Sequence, residues 1–63
     1  SDAARAVEAA TADVRAGDAR REAGLARLDA LTRAADPALA SLATRALRES
    51  LGEQRERHGL GVR

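Results

Sequence analysis

The residues able to do chemistry are scattered, and no two of them stand at a spacing that would make them work together. His58 is the single histidine and there is no cysteine. A metal site would need further imidazole, thiolate or clustered carboxylate ligands, and the chain does not offer them. Near the end of a helix, His58 reads instead as a cation favoured by the macrodipole. The hydroxyls of Thr11, Thr32, Ser41, Thr44 and Ser50 could act as nucleophiles only beside a base, and no histidine partner is spaced to activate them. Asp18 with Glu22, and Glu49 with Glu53, are carboxylate pairs at helical spacing. On solvated faces with no hydrophobic pocket, nothing would set one as acid and the other as base. The expectation is a chain with no catalytic residue, no cofactor and no metal.

Arginine is the other candidate for chemistry. All 11 cationic side chains are Arg, with Lys absent, as GC-rich codon usage produces. Arg5, Arg20 and Arg27 fall on one helical stripe and Arg45, Arg48 and Arg55 on another, which raises the possibility of an RNA- or DNA-binding hairpin. Against that reading, 10 acidic residues interleave with the arginines and the net charge is only +1, so little counterion release would drive binding. No aromatic side chain is present to stack on a base. Several charges have a simpler use as i,i+4 helix pairs, such as Asp29 with Arg33 and Glu53 with Arg57. A solvated face is the preferred reading.

The elements that would position these residues are helices. The apolar inventory is 17 Ala, 8 Leu and 3 Val, without Ile, Met or any aromatic residue, which suits helices but fills a core thinly. From about Asp2, a reasonable N-cap, to Ala35, the positions Ala3, Val7, Ala10, Val14, Leu25, Leu28, Leu31 and Ala35 fall on one face at 100° per residue. Gly17 and Gly24 lie on the same face. Gly17-Asp18 can be read as a stop followed by a cap, but the apolar phase does not change across it. One long first helix over about residues 2–35 is therefore expected.

Asp36-Pro37 is the clearest punctuation, since Asp caps helices and Pro suits the first helical position. A second helix is expected over about 37–58, with Leu39, Leu42, Ala43, Ala46, Leu47 and Leu51 on its inner side. Gly59 suits a helix stop, which leaves residues 59–63 as a flexible tail after a hairpin domain of 1–58. The fold class is all-α, an antiparallel helical hairpin. Its second helix is too short to cover the first beyond about Gly17, so the face of Ala3, Val7, Ala10 and Val14 would stand bare until a bundle is completed.

That asymmetry points to a protein–protein interaction module that oligomerises or docks onto a helical partner. The expected interface comprises Val7, Ala10, Val14, Gly17, Arg21, Gly24, Leu25, Leu28, Leu31, Leu39, Leu42, Leu47 and Leu51. Ala3, Ala10, Gly17 and Gly24 recur every seven positions, and small residues let helix backbones approach closely. Arg21 interrupts the apolar face and would either snorkel or pair with Asp13 or Asp18. The outline of two helices about an Asp-Pro turn resembles plasmid copy-number RNA-binding hairpins, small secretion co-chaperones and the docking helices of modular synthases. That resemblance implies a fold and no particular function. No apolar run approaches the length of a membrane span. The absence of cysteine fits a reducing compartment, so a cytoplasmic setting is expected. Ser1 in place of Met suits either a processed start or a piece of a longer chain.

Overall fold

The computed structural model describes residues 1–62, with side chains for 1–53 and 55. It is all-helical, with α1 over Asp2–Ala16, α2 over Asp18–Leu31 and α3 over Pro37–Val62. Each helix packs against both of the others, in up-down-up order.

The continuous first helix does not form. Gly17 has φ 83° and ψ −177°, serving at once as the C-cap of α1 and the N-cap of α2. That region of backbone space is essentially open to glycine alone. Asp18 follows with φ 54° and begins α2 rather than capping it. The physical reason for the break is burial. A straight helix in a single chain leaves half its apolar stripe in water, whereas folding at Gly17 turns the two halves toward each other. Val7, Ala10 and Val14 from α1 then share a core with Leu28 from α2 and with Ala43 and Ala46 from α3. The face expected to stand bare is thus covered within the chain.

Helix ends follow local chemistry. Ser1, not Asp2, caps α1: its hydroxyl accepts from the Ala4 N–H at 3.2 Å. α2 stops at Leu31, short of the expected Ala35. The amides of Arg33 and Ala34 donate to the carbonyls of Ala30 and Leu31, which tightens the last turn into i→i−3 bonds. The Asp36 cap forms as its sequence implies, with Oδ1 accepting from the Ala38 N–H at 3.0 Å. Asp36→Ala is expected to cost about 1 kcal/mol. For a chain of this size that lowers the midpoint of thermal unfolding by about 4–8 °C, readable by circular dichroism. An unchanged midpoint would show that the cap contributes nothing.

α3 continues through Gly59 to Val62, so the stop expected there is not a helix end. Glycine is tolerated in a helix interior at a cost of about 1 kcal/mol, and no proline follows to force termination. The last-turn roles expected of Arg57 and His58, the Glu53–Arg57 pair and Arg63 lie outside the described residues. At 1.5 Å per residue, α1 and α2 are about 22 and 21 Å long and α3 about 39 Å, so α3 overshoots the bundle by roughly 17 Å. The chain measures 41 × 19 × 16 Å. Its surface of 4715 Å² exceeds by about a fifth the area of about 3,900 Å² expected for a compact chain of its mass.

Candidate interaction surface

The core that positions the surface is small, and its tightest point is the crossing of α1 and α2. A Cβ built on Gly24 would lie 2.7 Å from both the Ala10 carbonyl oxygen and the Val14 amide nitrogen, and 2.8 Å from Val14 Cγ2. The seven-residue spacing of small side chains therefore marks a close helix contact, made inside the chain by Ala10 and Gly24. Leu28 fills the space beside it with no exposed surface, and it is the one large side chain so enclosed among the described residues. Leu25, Leu31, Leu39 and Leu47 pack half-buried around it.

These placements divide the expected interface residues. Val7, Ala10, Val14, Gly24 and Leu28 are interior to the chain, and Gly17 is the bend. Leu42 and Leu51 remain at the surface, 36% and 45% exposed. The inward stripe of α3 runs through Leu39, Ala43, Ala46, Leu47 and Ser50, and the two exposed leucines flank it on opposite sides.

Arg21 is half-buried and shares a shallow depression with Asp18, Glu22 and Leu25. Among the described residues it makes no ion pair. Asp13 pairs instead with Arg27 across α1 and α2, at 3.9 Å with both side chains partly in water. Asp29 and Arg33 form the expected i,i+4 pair at 2.9 Å. Arg5, Arg20, Arg45, Arg48 and Arg55 all face solvent.

Leu42 opens onto a groove between α1 and α3. Val7, Thr11 and Ala12 line it from α1, and Leu42 and Ala46 from α3. Its rim carries both signs of charge, Glu8 and Arg15 on α1 and Arg45 and Glu49 on α3. An apolar floor with a mixed charged rim is the composition of a helix-docking groove. Sequence reasoning named Val7 on the α1 side of this groove but not Thr11 and Ala12. Thr11 and Ala12 belong to the outer edge of the helix, and only the position of α3 joins them to an apolar floor.

Three of the hydroxyls bond to carbonyls of the preceding helical turn. Thr11 and Thr44 donate to the carbonyls of Val7 and Ala40 at 2.8 Å each, and Thr32 donates to that of Asp29. Among the described residues no group of three or more His, Cys, Asp or Glu side chains is placed to hold a metal ion. No helix among them is long and apolar enough to cross a membrane. Comparison with protein-family models, curated proteins and solved structures finds no match.

Proposed function

We propose that this chain is a non-enzymatic protein–protein interaction module, a small helical bundle that docks onto helices of a second copy or of a partner in a cytoplasmic setting. The observation that carries the reading is the α1/α3 groove, where Leu42 stands 36% exposed above Val7 and Ala46 within a rim of opposed charges. A helix laid in the groove would cover Leu42 and satisfy both signs of the rim, which fixes its orientation as well as its position. The thinness of the core supports the same reading, because association adds apolar contact that a chain of this size lacks.

The test places a photo-crosslinking side chain at position 42 and, as a control, at position 20 on the outer face of α2. Adducts that form at 42 and are absent at 20 are expected. Adducts equal at both positions, or none at either, would overturn the groove as a docking surface. Leu42→Asp, in the chain without the probe, should abolish association while costing about 1–2 kcal/mol of fold stability, since about a third of the residue is already exposed. Urea denaturation checks this second expectation, and a large loss of stability would place Leu42 in the core instead.

A further inference from the structure

We propose that α1 exchanges between two copies of the chain. The bend at Gly17 straightens, α1 and α2 join into one helix, and each copy's α1 packs into the place vacated in the other. The inference rests on the reading of the chain as an interaction module and names its partner as a second copy.

Three observations converge on the hinge. First, the bend carries a backbone cost at Asp18, a non-glycine residue in the left-handed region at φ 54°, beside Gly17, whose conformation only glycine adopts freely. Second, α2 begins without a side-chain cap, so its first amides lack the partners that Ser1 and Asp36 supply to α1 and α3. A continuous helix would give those amides the carbonyls of the last turn of α1. Third, the apolar stripe is in phase on both sides of Gly17, with Val7, Ala10 and Val14 continuing into Gly24 and Leu28. A straight helix thus presents one seam with no change of face.

Opposing these are the entropy of bringing two copies together, which concentration offsets, the cost of about 1 kcal/mol for Gly17 in a helix interior, and the requirement that the contacts of α1 be kept. All of them are made to α2 and α3, so a second copy offers the same set, including the close approach of Ala10 to Gly24. Straightening therefore relieves the hinge while the packing is remade between chains. A short, strained hinge joining two elements that already form one helical register is the condition under which such exchange is cheap.

Crosslinking distinguishes the two arrangements. The chain has no cysteine, and Asp13 and Arg27 face each other across α1 and α2 at 3.9 Å. In Asp13→Cys/Arg27→Cys, a short bismaleimide links the two positions within one chain if α1 is folded back, and between chains if α1 is exchanged. The sample is concentrated, diluted, crosslinked and run on a denaturing gel, with sedimentation on a parallel sample. Gly17→Ala penalises the bend and favours the straight helix, and is expected to raise the ratio of covalent dimer to internally linked monomer at least tenfold. Asp18→Gly eases the bend and weakens the straight helix, and is expected to lower that ratio several-fold from the parent value.

Dimers whose crosslinks stay within each chain would overturn the exchange while leaving groove docking intact. A ratio that Asp18→Gly leaves unchanged would overturn it as well, and this arm stands even if Gly17→Ala fails to fold. Loss of groove crosslinks at position 42 alongside dimers linked between chains would separate the two proposals in the opposite sense.

Discussion

Replacing Gly24 with alanine lowers the stability of the chain by about 2–3 kcal/mol, although helix propensity alone predicts a gain of about 1 kcal/mol. The added methyl would meet the Ala10 carbonyl oxygen and the Val14 amide nitrogen at 2.7 Å. Both are backbone atoms of α1, so neither can rotate away as the end of a long side chain could. Relief requires α1 and α2 to separate, which loosens the packing of Val14 and Leu28 around the crossing. Gly52 supplies the control, because a Cβ built there meets nothing within 4 Å. Gly52→Ala should therefore stabilise by about 0.5–1 kcal/mol, the ordinary helix-interior value. Urea denaturation of the two variants side by side reads the difference in sign. Equal stabilisation by both would mean that α1 and α2 do not cross closely at Gly24.

The same glycine shows how far sequence reasoning reaches in this chain. A glycine in a helix interior is costly enough to imply close packing, and that much was legible from its spacing to Ala10. Whether the packing partner lay in the same chain was not, because the answer depends on Gly17. An apolar stripe that keeps its phase across a glycine is equally consistent with a straight helix and with a hairpin folded at that point. Nothing local decides between them, since the deciding quantity is the apolar surface buried when the halves close on each other. The Asp36-Pro37 start of α3 was legible because capping is local, and its hydrogen bond forms as expected. The end of α2 was not, because Thr32 to Ala35 could all be helical and only the i→i−3 bonds of Arg33 and Ala34 reveal the turn.

The candidate site divides in the same way. Periodicity identified Val7, Val14 and Leu28 as apolar contacts but could not say that they face one another. It also placed Leu42 and Leu51 with the inner residues of α3, although helix α3 buries a narrower stripe. Alanine explains the difference. With Ala43 and Ala46 buried at the centre of the stripe, the helices approach closely and leave the larger side chains at the margins of the contact. Leucine at such a margin is partly solvated, and in the case of Leu42 it becomes the exposed apolar wall of the α1/α3 groove.

Leu28 concentrates what stability this small core has. It is the large apolar side chain with no exposed surface, in a core whose other buried members are alanine and valine, with Leu25, Leu31, Leu39 and Leu47 half-buried against it. Leu28→Ala is expected to cost about 2–5 kcal/mol through lost transfer energy and the cavity that remains. A chain of 63 residues has a total stability of about 3–9 kcal/mol, so the variant should lose on the order of half of it and melt at a far lower temperature. Leu51→Ala, by contrast, removes a side chain that is 45% exposed and should cost less than about 1 kcal/mol. Thermal melts of both variants check the pair, and a Leu28→Ala melt resembling that of Leu51→Ala would remove Leu28 from the centre of the core. Leu28→Asp likewise melts the chain from within, whether or not the protein associates. It is therefore a test of the fold, while Leu42, at the surface of the groove, is the position at which association can be broken with the helices intact.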